Sequence, residues 1–124
     1  EVLEHLSASD LVIIPSLWEG RSIFMLEAAA FGLPFILSDC PGLREPFNEK
    51  ELLKDETMRV CRFGYLVKTN DITAYQQAIQ HFIDYPELHD EMKKSVTAMS
   101  ISNDISAVIS RYYQVFTSSF ALNH

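Results

Sequence analysis

Two glutamates set the terms of this sequence. Glu19 stands in a polar loop, and Glu27 follows seven intervening residues later, inside the apolar run Ile23–Leu26 and Ala28–Phe31. Removing a carboxylate from water without a partner costs several kcal/mol or forces it neutral, so an acidic residue in such a run needs company. Two kinds of company fit: a buried Arg or Lys elsewhere in the protein, or a polar ligand. A carboxylate accepts two hydroxyl hydrogen bonds at once, which suits a sugar diol. The start of the helix carrying Glu27 offers free N–H groups and a positive dipole end, where phosphate binds well. With the helix placed at about Arg21 to Phe31, Glu27 lies ~10 Å from that start, about the span of one nucleotide. Taken alone, these residues support either a small polar or phosphorylated ligand or an ion pair of Glu27 with a buried cation.

The elements that must position them alternate in type. Val2, Leu3 and Leu6 share a helical face, and Ser9-Asp10 ends that pattern. Leu11 to Ile14 is apolar at every position, the pattern of a central parallel strand covered on both sides. Pro15 stops it, and residues 16 to 20 form the loop. Gly32 fits the cap after the helix, with Pro34 beyond it. Phe35 to Leu37 forms the next buried strand, ending at Ser38-Asp39. Cys40-Pro41-Gly42 is a turn, Leu43 to Phe47 a short helical turn, and the charged stretch Asn48 to Thr57 a helix. Met58 to Arg62 and Tyr65 to Val67 are weak strands around Phe63-Gly64. Asp71 caps a helix through Asp84, Pro86 opens one through about Met99, and a last helix runs from about Asp104 to Ser118. The expectation is an α/β domain with a Rossmann-like parallel sheet and flanking helices, in which ligands bind beyond the carboxyl ends of the strands.

With 124 residues, 48% hydrophobic and 22% charged, the chain is one domain or part of one. A net charge of -7 argues against broad binding to nucleic acid or an anionic membrane surface. No apolar stretch reaches the ~20 residues of a membrane span, and no secretory signal opens the sequence. Cys40 and Cys61 read as two reduced thiols of a cytoplasmic protein. His5, His81 and His89 lack metal-like partners and read as surface or packing residues. Trp18 can stack on a base or sugar or cover the core; Asp39 can cap its turn or line the cleft; Glu45 suits a helix start. The cluster Tyr112, Tyr113, Phe116 and Phe120 reads as packing.

Pro15-Ser16, Glu19-Gly20, the run Glu27-Ala28-Ala29-Ala30-Phe31-Gly32-Leu33-Pro34, and Ser38-Asp39 together resemble the donor-site signature of retaining glycosyltransferases of family 4. That family has the GT-B fold, two Rossmann-like domains facing across a cleft. The resemblance implies that residues 1–124 are a single partial domain, the back half of a C-terminal, donor-binding GT-B domain. Glu27 would bind the ribose hydroxyls of a nucleotide-diphosphate sugar, and Glu19 would act beside the anomeric centre. Gly20 and the backbone around Arg21, Ser22 and Ile23 would hold the donor sugar or its diphosphate. No metal or other cofactor is expected, since basic groups and a helix dipole offset the leaving-group charge.

Arg21 and Ser22 depart from the family's usual aromatic and glycine, which leaves base and sugar open. The family's basic diphosphate-gripping pair and its acceptor domain would precede residue 1, so these residues alone are expected to be inactive. The acceptor would be a carbohydrate or lipid-linked molecule, with peripheral membrane association of the whole protein. Two other readings stand: a non-catalytic GT-B-like module serving as a partner-binding or regulatory subunit, and a different GT-B enzyme such as a sugar-nucleotide epimerase.

Overall fold

A computed structural model describes residues 2–17 and 23–102, with Tyr113 and Thr117 beyond them. Helix α1 (Val2–Ser7) leads to strand β1 (Val12–Ile14), and α2 (Ile23–Ala30) leads to β2 (Phe35–Ser38). A short α3 (Pro41–Arg44) runs into a single 3-10 turn (Glu45–Phe47). Strands β3 (Met58–Cys61) and β4 (Gly64–Val67) follow, then α4 (Ile72–Asp84), a 3-10 turn (Pro86–Leu88) and α5 (His89–Ser102). The expected final helix lies almost wholly outside the described residues, as do Tyr112, Phe116 and Phe120; Tyr113 is exposed.

The four strands form one sheet in the order β1-β2-β4-β3. β1, β2 and β4 are parallel; β3 is antiparallel to β4, because a two-residue link permits only a hairpin. β4 is no weak strand: all four of its residues are buried, as are all four of β2. On one face Val12, Ile14, Phe35, Leu37 and Leu66 pack against Leu6 of α1, the inner side of α2 and Val96 of α5. On the other, Ile36, Tyr65 and Val67 meet Ala74, Ala78 and Phe82 of α4. Asp71 caps α4 as its position suggested, its side chain accepting the Ala74 N–H at 3.0 Å.

β1 forms an edge of the described sheet, and Ile13 is 41% exposed. Two expectations change. Residues 48–57 are irregular rather than helical. Asn48 takes a left-handed φ of 53°, and Arg59 binds the Lys50 and Glu51 carbonyls at 2.9 and 3.2 Å. Those carbonyls therefore find a donor outside any helix. Pro86 opens a 3-10 turn before α5 rather than α5 itself.

Two glycines are dictated by geometry. Gly32 ends α2 at φ +71°, donating its N–H to Ala29, as a C-terminal cap requires. Gly64 has φ +139°, and a Cβ there would fall 2.0 Å from the Phe35 carbonyl oxygen, so only glycine lets β4 close on β2.

Candidate functional site

The three parallel strands deliver Pro15–Leu17, Asp39–Cys40 and Lys68–Thr69 to one end of the sheet. Ser38 ties this end together. It is a fully buried polar residue, and its Oγ donates to the Ser16 carbonyl while lying 3.3 Å from that of Ile14. The loop leaving β1 is thus held by the last residue of β2. The Tyr75 hydroxyl of α4 reaches the same place; burial raises its pKa above the ordinary tyrosine value and Ser38 draws it back. Ser38 entered the sequence reading only as part of the signature, although a serine closing a wholly apolar strand is a readable signal of its own.

Glu27 sits in the middle of α2, half-buried. With 3.6 residues per turn, buried Met25, Leu26, Ala28 and Ala29 define the inner side of the helix, and Glu27 points away from them by about half a turn. Phe24, three residues earlier, shares the outward side and is 41% exposed. The apolar run therefore does not bury this carboxylate. The ion pairs among the described residues join Arg44 to Asp39 and Arg59 to Glu49 and Glu56; none of them includes Glu27.

Asp39 does not cap its turn, and its carboxylate is engaged within the fold. Its Oδ1 lies 2.5 Å from Arg44 Nε, its Oδ2 accepts the Leu52 N–H at 2.9 Å, and its own N–H donates to Val67. It does border a hollow of ≈ 210 Å³ at this end, which Leu52, Lys54, Lys68 and Thr69 also line. Glu56 also lines this hollow, and Arg59 gathers Glu49 at 3.0 Å and Glu56 at 2.6 Å. The guanidinium holds the Glu56 carboxyl down at about pKa 2, helped by the Leu53 N–H. This clamp was invisible in sequence, since it joins β3 to a loop with no periodicity.

Glu19, Gly20, Arg21 and Ser22, with Trp18, lie outside the described residues; of the expected donor-site residues the structure places the backbone of Ile23, which opens α2, and Glu27. His81 and His89 pack, whereas His5 is exposed. His81 Nδ1 is 2.8 Å from the Tyr65 hydroxyl and its ring stacks on Tyr85, while His89 Nε2 donates to the Phe82 carbonyl at 2.6 Å and stacks on Phe82. Cys40 and Cys61 are free thiols, and burial pushes that of Cys61 up to about 12, which leaves it unreactive. Glu45 opens the 3-10 turn after α3. No described helix is long and apolar enough to cross a membrane.

A mostly parallel sheet with helices on both faces and polar loops at its carboxyl ends is an α/β fold of the GT-B kind. The solved sucrose-phosphate synthase of Thermosynechococcus elongatus shares this fold, with a TM-score of 0.56 and 25% identity over 93% of this chain and 27% of that one. The family model for glycosyl transferases group 1 matches residues 1–99, and the chain belongs to that family.

Among curated relatives, an Escherichia coli protein named UDP-Gal:alpha-D-GlcNAc-diphosphoundecaprenol alpha-1,3-galactosyltransferase is 37% identical over 64% of this chain and 18% of its own length. An uncharacterized glycosyltransferase of Haemophilus influenzae is 27% identical over 90% of this chain and 29% of its own. A Campylobacter jejuni N,N'-diacetylbacillosaminyl-diphospho-undecaprenol alpha-1,3-N-acetylgalactosaminyltransferase is 22% identical over 94% and 28%. The chain spans less than a third of the length of each of these relatives.

Proposed function

We propose that residues 15–39 carry the nucleotide-sugar half-site of a retaining glycosyltransferase that acts as part of a longer polypeptide. The observation that carries this reading is Glu27: a half-buried carboxylate on the outward side of α2, outside every ion pair of the described residues. Such a group is ready to accept two hydroxyl hydrogen bonds, and a ribose diol supplies them. α2 starts beyond the carboxyl end of β1, so its first N–H groups and dipole favour the donor diphosphate. Glu19 is assigned to the sugar beside the anomeric carbon, and Gly20 to Ile23 to the backbone cradle. Departure of the nucleoside diphosphate is assisted by cations and dipoles rather than by a metal.

The names of two relatives direct the acceptor assignment toward a diphosphoundecaprenol-linked sugar, and one of them directs the donor toward a UDP-hexose. An acceptor with that lipid would bring the whole protein to the inner surface of a membrane from the cytoplasm. The test is a titration of the protein with UDP-, GDP- and ADP-sugars, followed through backbone amides, with Glu27→Gln as control. Shifts concentrated at residues 19–27 for one nucleotide, and lost in the variant, are expected. Silence from the intact native polypeptide would sink the donor reading and favour a non-catalytic module.

A further inference from the structure

The ladder between β1 and β2 ends just where the loop toward Glu19 begins. Its last pair is Ile14 with Leu37, and the next residue, Pro15, has no N–H to extend it. A side chain takes over. Ser38, the last residue of β2, is 0% exposed; its hydroxyl donates to the Ser16 carbonyl, with the Ile14 carbonyl 3.3 Å away. Leu17, one residue further, is already 62% exposed. Ser38 therefore grips the loop where it leaves the core.

Such a grip holds only while the hydroxyl hydrogen keeps one direction, and Ser38 has one hydrogen for two carbonyls. Tyr75 of α4 bears on that choice. It packs on the cluster that contains Val67, which stands in register with Ser38. Its hydroxyl meets Ser38, is buried, and has no hydrogen-bond partner. A buried O–H in that state is costly, and Ser38 Oγ has lone pairs to offer it. A donor pressed toward those lone pairs leaves the Ser38 hydrogen to the carbonyls.

We propose that Ser38 is a positioning residue for sugar transfer, backed by Tyr75, and that it acts by fixing the backbone at Ser16. The inference rests on the reading that assigns Glu19 to the donor sugar. Glu19 lies three residues past Ser16, at most ~11 Å of chain. A misplacement of about 1 Å at a reacting centre can cost ~100-fold in rate, so the anchor of that chain matters to the chemistry. Ser38 does this without meeting the donor: it is fully enclosed, and its hydrogen is spent on the loop.

Steady-state transfer by the intact native polypeptide tests it, using two variants of nearly the same shape. Ser38→Thr keeps a hydroxyl and Ser38→Val does not. The Val form is expected to have a kcat at least ~10-fold below the Thr form, with KM for the sugar nucleotide within about 3-fold, since Glu27 is untouched. The Leu17 amide shares a peptide plane with the Ser16 carbonyl, so its NMR shift should hold in the Thr form and move in the Val form. Tyr75→Phe should lower kcat about 3-fold while Tm moves by no more than about 1 °C, because the hydroxyl it removes has no partner. Equal kcat in the Thr and Val forms would overturn the proposal and leave the donor reading standing. So would a Val form whose KM and Tm fall away together with kcat, the mark of a merely structural serine. Should neither serine variant fold, Tyr75→Phe decides, and an unchanged kcat there overturns the proposal. Absence of transfer by the wild-type polypeptide from UDP-, GDP- and ADP-sugars would instead fell the donor reading, and the proposal with it.

Discussion

Glu56 and Glu27 are both half-buried, and they keep opposite company. Glu56, with 26% of its side chain exposed, is bound by Arg59 at two points and by the Leu53 N–H. Glu27 joins no ion pair among the described residues and rides the outward side of a helix whose other flank is core. Exposure alone would not separate a structural carboxylate from one left for a ligand; the claim already laid on its oxygens does. Glu56 and Glu49 are spent on holding residues 48–57 against β3, whereas the oxygens of Glu27 are not committed within the described fold.

The sharpest way to break this contrast is Glu27→Gln in the intact polypeptide. Charge-assisted hydrogen bonds to two hydroxyls are worth about 1.5–3 kcal/mol each, so sugar transfer should fall roughly 100-fold or more. The melting temperature should move by no more than about 2 °C, as for a surface substitution that leaves the core intact. A large loss of Tm with the activity would instead mark Glu27 as structural.

Arg59→Ala should have the reverse signature. It strips donors from Glu49, Glu56 and the carbonyls of Lys50 and Glu51, and a Tm drop of roughly 5 °C is expected, with faster amide exchange across residues 49–57. Asp39→Ala, which frees Arg44 and the Leu52 N–H, should cost about 1–2 kcal/mol in denaturant unfolding. Asp39→Asn keeps an acceptor for Leu52 and should recover part of that loss.

The smallest effect is a titration. Glu56 is lowered from an unfolded value near 4.5 to about 2, so its contribution is fully present above about pH 4.5 and is lost as pH falls through about 2. Carboxyl NMR should place its midpoint near 2 in the native protein and near the ordinary value in Arg59→Ala. A native midpoint near 4 would show that the clamp does not hold in solution.

Much of the fold was legible because local chemistry and tertiary role agree. The apolar run of β2, the cap at Asp71 and the stop at Gly32 each carry their own signal, and each stands where the residues put it. Two features were not legible. The charged stretch 48–57 has helix-forming residues, but Arg59 arrives from a later strand and offers its backbone carbonyls a better arrangement than a helix would. The setting of Glu27 was misjudged because neighbours in sequence are not neighbours around a helix: Leu26 and Ala28 are buried while the residue between them turns outward. The family signature was readable from Pro15 onward, while the geometry of Glu19 to Ser22 falls outside the described residues.

The seat of Gly32 gives α5 a hold on the far end of α2. A Cβ at Gly32 would lie 2.8 Å from Thr97 Oγ1, so the two helices meet there with no slack. α2 is eight residues long, so its C-terminal cap lies about one and a half turns from Glu27. A bulkier residue at Thr97 is therefore expected to press on the C-terminal cap of α2, the helix that carries Glu27. If Glu27 serves the donor as proposed, a change in α5 would reach that site while leaving every residue of the signature in place.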